Sequence, residues 1–126
     1  MERQAISTGN APPAIGPYSQ AVVAGGFVFC SGTAGIDPVT GEIPPGIADQ
    51  TRLALRNLEA VLTAAGASLS TLVKTTIFYR DVADFPVINE IYAACMPDPP
   101  PARSAPAGVQ LPKGLLISIE AIAVPL

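Results

Sequence analysis

The chain has 126 residues, 49% of them hydrophobic and only 13% charged, with a net charge of −3. That length is the usual size of one domain, so residues 1–126 are expected to form a single one. An acidic chain with no run of Lys or Arg lacks the basic footprint that meets nucleic-acid phosphates, and the complete absence of histidine excludes Ser-His-Asp, Cys-His and His-bound metal chemistry.

Charged residues are about half as frequent as usual, yet a domain this small exposes much of its surface. The apolar excess needs cover. A membrane span takes about 20 consecutive apolar residues, whereas the apolar runs here are strand-sized or broken by Pro, Gly and charge. No basic segment followed by an apolar run marks a signal peptide. The expectation is a soluble cytoplasmic oligomer with no membrane and no nucleic-acid partner. Cys30 and Cys95 are too few for a zinc site and are expected to stay reduced and pack as small buried hydrophobes.

In chain order, Gln4 to Ile6 reads as a short strand, and NAPPAIGP (10–17) is too rich in Pro and Gly for regular structure. Ser19 to Val23 and Phe27 to Ser31 read as two strands of a hairpin turning at Gly25-Gly26. Asp37-Pro38 with Thr40-Gly41 marks a turn. A helix follows over residues 47–66, with Ile47, Leu55, Leu58, Leu62 and Ala65 on its apolar face. Arg52, Arg56, Asn57, Glu59 and Thr63 lie mostly away from that face, and Gly66 ends the helix. Leu72 to Asp81 is β-branched and aromatic, hence a strand. Asp84 is placed to cap a second helix, with Pro86 in its first turn and Phe85, Ile88, Ile91, Tyr92 and Cys95 on its apolar side. Arg103 to Val109 and Leu115 to Val124 read as the last two strands. This order predicts an α+β sandwich: one sheet with two helices on one face and the other face left open.

The stretch LLISIEAIAV (115–124) places Glu120 inside one of the most apolar segments. An ionised carboxylate buried there is costly unless it is paired or hydrogen-bonded, so Glu120 sits either at an exposed strand position or beside a partner. Ser118, Glu120 and Ile122 share a face by period-two alternation. Arg103 could grip a carboxylate in a bidentate fork or form an ordinary surface ion pair. Were the last two strands antiparallel neighbours, Arg103 and Glu120 could reach one site or simply pair. Tyr18, Ser31-Gly32 and Asn89 are weaker candidates, which as isolated signals read as packing, a turn and a surface residue.

Together, IGPYSQ, CSG, the GEIP turn, NLEAVLTAAGASLSTLVKTTIFYRDVADFPVINEIY, PARS and LPKGLLISIEAIAV resemble the Rid family. These are the reactive intermediate deaminases, also called YjgF-like proteins and labelled endoribonuclease L-PSP. The similarity spans essentially the whole chain, and PARS with the IEAIA strand is its most specific part. The resemblance implies a chorismate-mutase-like fold, a mixed sheet with two helices on one face. It also implies a homotrimer whose sheets close into a central barrel with clefts between subunits. For members that keep the PARS arginine it implies hydrolysis of 2-imino acids or enamines of the 2-aminoacrylate type, released by pyridoxal-phosphate enzymes, to 2-keto acids and ammonia.

Carried over by position, Arg103 would hold the substrate carboxylate and Glu120 would orient the attacking water. The backbone carbonyl of Ala105 would help to place the water or the imine nitrogen, and Tyr18 would close over the substrate from a neighbouring subunit. Ser31, Gly32 and Asn89 match further cleft-lining positions. An iminium carbon is already electrophilic, so positioning carries most of the catalysis and no metal or organic cofactor is required. Two departures stand out: Ala105 where many relatives have Cys, and a shorter, proline-rich MPDPPP connection into Arg103. The competing readings are a non-catalytic trimeric module binding small carboxylates or partner proteins, and a ribonuclease, which the acidic, His-free composition disfavours.

Overall fold

The computed structural model describes residues 2–126. Six strands form one mixed sheet: β1 (Arg3–Ile6), β2 (Ala21–Ala24), β3 (Phe27–Ala34), β4 (Leu72–Tyr79), β5 (Ala102–Ser104) and β6 (Ile117–Ala123). Their order across the sheet is β1-β2-β3-β6-β4-β5. All neighbouring pairs are antiparallel except β4 and β5, which run parallel. Two helices, α1 (Ile47–Ala64) and α2 (Phe85–Cys95), pack side by side, and α1 lies over β3 and β6.

Alternation sorts the sheet into two faces. Val28, Cys30, Ile77, Ile117, Ile119, Ala121 and Ala123 are buried and form the core with Ala54, Leu55, Leu58, Val61 and Leu62 of α1. Their strand neighbours point the other way, where no element among the described residues covers them. There Phe27 and Phe29 remain 42% and 44% exposed, with their rings 6.2 Å apart. No helix among the described residues is long and apolar enough to cross a membrane.

Element types follow the sequence, and the departures have local causes. The hairpin turns at Gly25-Gly26 as expected, although β2 begins at Ala21 and β3 runs on to Ala34. Gly66 follows the end of α1 at φ 79°, a left-handed conformation that glycine adopts without a Cβ penalty. Asn57, expected to lie away from the apolar face, is instead buried at 1% exposure. Its Nδ2 donates to the carbonyls of Ala34 and Ile36, both at 2.9 Å, and so closes two backbone acceptors at and just past the end of β3. Asp84 does not cap α2. Its backbone is already helical, and Asp81 supplies the cap by accepting from the Ala83 N–H at 2.9 Å, one 3₁₀ turn earlier. Cys30 is buried as expected, but Cys95, at the end of α2, is exposed. The strand expected over 103–109 shrinks to three residues, because Pro106 cannot donate to a ladder.

Candidate active site

The expected pairing of the last two strands does not occur. β4 lies between β5 and β6, with Thr75 opposite Arg103 on one side and Ala121 on the other. Thr75 is buried under α2, so Arg103 leaves the sheet on the helix side. The next row is Ser104, Thr76 and Glu120, on the open side. Glu120 is exposed there, the first of the two alternatives that the sequence left open. Arg103 and Glu120 are therefore two strands apart, about 10 Å between backbones, and leave opposite faces of the sheet.

The Arg103 side is a constructed seat. Nη1 donates to Asn89 Oδ1 at 2.7 Å. The guanidinium carbon lies 5.0 Å from the centre of the Tyr92 ring and 5.4 Å from that of Phe85. These stacking contacts hold a cation without neutralising it. The Tyr92 hydroxyl is locked in turn by Thr75 Oγ1 at 2.6 Å, inside the core. Phe85, Asn89 and Tyr92 fall at helix positions i, i+4 and i+7 and thus on one stripe. The sequence reading assigned the two aromatic rings to core packing alone. The 85-89-92 spacing around Asn89 is the signal that groups them with it. Among the described residues the single ion pair joins Arg52 to Asp49, so no carboxylate of the chain occupies the Arg103 fork. Ala105 follows β5 directly, half-buried against the core.

The Glu120 side is built around a β-bulge. Cys30 pairs with Ala121 and Thr33 with Ile119, so Ser31 and Gly32 together oppose Glu120 alone. Such bulges re-aim side chains beside functional sites. The approach is close: a Cβ on Gly32 would lie 2.8 Å from Ser118 Oγ, and that hydroxyl would have to turn away. Ser31 Oγ donates to the Ser19 carbonyl at 2.6 Å, tying the bulge to the segment after Tyr18. The Pro-rich loop that carries Tyr18 is pinned by buried Gln20. Its Nε2 donates to the Pro12 carbonyl at 2.7 Å, and its Oε1 accepts from the Thr8 N–H at 2.7 Å. Tyr18, Ser31, Gly32 and Ser118 all line one cavity of about 510 Å³ that extends under the 36–41 turn. The chain thus gathers its candidates into two groups: Arg103 with Asn89 at the sheet edge, and Tyr18, Ser31 and Gly32 along one cavity, with Ser31 and Gly32 opposite Glu120 in the bulge.

Residues 8–125 match the family model described as Endoribonuclease L-PSP. A RutC family protein of Pyrococcus horikoshii is 51% identical over 96% of this chain and 97% of its own length. The 2-iminobutanoate/2-iminopropanoate deaminase of Rattus norvegicus is 46% identical over 97% of this chain and 90% of its own. The fold is similar to the crystal structure of Escherichia coli TdcF with bound serine. That structure has a TM-score of 0.91 and 44% identity, covering 98% of this chain and 99% of the other.

Proposed function

Since the chain belongs to the endoribonuclease L-PSP family, the Rid or YjgF-like proteins, we infer that it is a reactive-intermediate deaminase. It hydrolyses 2-imino acids and their enamine tautomers to 2-keto acids and ammonia, the activity for which its mammalian relatives are named. The observation that carries the reading is a guanidinium prepared for an anion. Arg103 is held by Asn89 and two aromatic rings, and its fork is left free of the chain's own carboxylates. The serine bound to the TdcF relative, a small 2-amino carboxylate, is of a size and charge that suit such a fork.

In this mechanism Arg103 binds the substrate carboxylate and fixes the adjacent iminium carbon. Glu120 orients a water and takes its proton as the oxygen adds to that carbon and the C=N π pair moves to nitrogen. The proton passes on to nitrogen, and the backbone carbonyl of Ala105 accepts from the water or the imine N–H. The C–N bond then breaks with its electron pair leaving on ammonia, and Glu120 takes the hydroxyl proton as the keto group forms and passes it to the departing ammonia. General acid–base help of this kind contributes about 10²–10⁴-fold; most of the remainder is placement.

Arg103 and the Glu120 cavity leave opposite faces of one chain, so the reading places the working cleft between copies of a homotrimer. One copy supplies Arg103 and Asn89, and its neighbour supplies Tyr18, Ser31, Gly32 and Glu120. The exposed Phe27 and Phe29 support this assembly, since an apolar open face is what a neighbouring sheet would cover. Two free cysteines suit a cytoplasmic setting. A ribonuclease role finds no support in an acidic chain without histidine.

The test is a coupled assay in which an L-amino acid oxidase generates 2-imino acids and semicarbazide traps what remains. Wild type suppresses the semicarbazone signal. Arg103→Ala, which loses two charge-assisted hydrogen bonds, is about a thousandfold slower in kcat/KM with the trimer intact. Full activity in that variant overturns the mechanism. Carboxylate binding without turnover in wild type makes the protein a binding module instead.

A further inference from the structure

The cavity beside Glu120 has a composition of its own. Ser118 lines it and stands two residues from Glu120 on the same face of β6, about 7 Å along the strand. Gly32, which opposes Glu120 in the bulge, lines it as well. The cavity's deepest lining is apolar, with Ala11, Val61 and Leu115 buried, while Ile15 and Val39 stand exposed at the rim near Asp37 and Thr40. At about 510 Å³ it is far larger than a methyl or hydroxymethyl group needs, and it lies in the range of ligand pockets lined by hydrophobic side chains with a few placed polar groups.

We propose that this cavity receives the substrate's side chain and selects 2-imino acids with apolar side chains of leucine or methionine size over the small alanine- and serine-derived ones. The inference rests on the deaminase reading. With the reacting carbon beside Glu120, the substituent on C3 and beyond can run past Ser118 and Gly32 into this cavity. Entry there removes apolar surface from water on both sides and keeps bulk water from the iminium except at the Glu120 position. Lys113 also lines the cavity, in a left-handed backbone conformation at φ 61°, and marks the competing substrate class, an acidic side chain.

The experiment measures kcat/KM for imines generated from leucine, methionine, alanine and glutamate, each corrected for its spontaneous hydrolysis. The leucine-to-alanine ratio in wild type is expected to be about tenfold or more, since one methylene in an apolar pocket already gives about tenfold and leucine's side chain exceeds alanine's by three carbons. Ala34→Leu fills the cavity beside Ser118, its partner in the β3–β6 register, and lowers that ratio about tenfold. Val39→Trp narrows the rim from a turn position that is 89% exposed, where folding is not at stake, and lowers the ratio in the same direction. An unchanged ratio in both variants overturns the proposal, as do equal wild-type rates on all imines or a preference for the glutamate-derived imine. Wild-type failure on every imine overturns the deaminase reading itself, a separate result.

Discussion

At the β5 edge, Arg103 is fixed from three directions before any ligand arrives: Asn89 holds one nitrogen, Tyr92 and Phe85 hold the plane, and Thr75 locks Tyr92. On the open face, Glu120 stands opposite a two-residue bulge, exposed and in no ion pair. The anion holder is thus preorganised within one chain. Glu120 is placed by backbone register alone, and under the proposed reading it gains dry surroundings only when substrate and a neighbouring copy cover it. In the proposed trimer no single copy has to bury both charges, which suits a short chain sparing with charge. The desolvation of each would be met in the assembled cleft, where the substrate supplies the counter-charge.

This division is most severely tested by mixing halves. Arg103→Ala and Glu120→Gln are each expected to be nearly inactive alone. Trimers formed at random from equal amounts of the two contain, at about a quarter of their interfaces, an intact Arg103 facing an intact Glu120. Activity of about a quarter of wild type is therefore expected from the co-expressed mixture, measured with the same semicarbazide assay. No recovery would mean that both residues act from one chain and that the faces of the sheet mislead.

A smaller effect separates the seat from the charge it holds. Tyr92→Phe alone leaves the Thr75 hydroxyl without its partner in the core and costs about 1–3 kcal/mol of stability. Adding Thr75→Val replaces both hydroxyls by apolar groups and restores most of it. If Tyr92 is a positioning residue, the double variant regains its Tm but keeps a KM about threefold higher than wild type, with kcat unchanged, because the ring under Arg103 is no longer anchored. Recovery of KM together with Tm would reduce the pair to core packing.

What could be read before folding divides along the same line. Period-two alternation in ISIEAIA announced β6 and the face of Glu120, and the family resemblance named the residues of both groups. Sequence could not place β5 across β4, because strand neighbours are set by contacts far apart in the chain. Without that placement, Arg103 and Glu120 looked like cross-strand partners. Asn57 illustrates the same limit in the core. Its polar side chain spoke for solvent, but the carbonyls that need its donors, those of Ala34 and Ile36, come from a segment more than 20 residues earlier. At α2 the sequence offered Asp84 as the cap, and only the 3₁₀ turn that precedes the helix makes Asp81, three residues earlier, the one that accepts a backbone N–H.

The two cysteines mark the two regions and give the mildest test. Cys30 lies on β3 directly before the bulge and faces the helices; burial pushes its thiol up to about 12, so it holds its proton throughout the ordinary pH range. Cys95 lies one helical turn beyond Tyr92 and is exposed, its thiol raised by partial burial and by Glu59. A thiol reagent at mild alkaline pH is therefore expected to label Cys95 slowly and Cys30 only on unfolding. Mass spectrometry of the native protein should show modification at Cys95 alone, with imine hydrolysis unchanged, since Cys95 is not among the residues assigned to the proposed cleft. Native labelling of Cys30 would mean that β3 opens around the bulge, and the water-handling side would then be mobile where this structure makes it rigid.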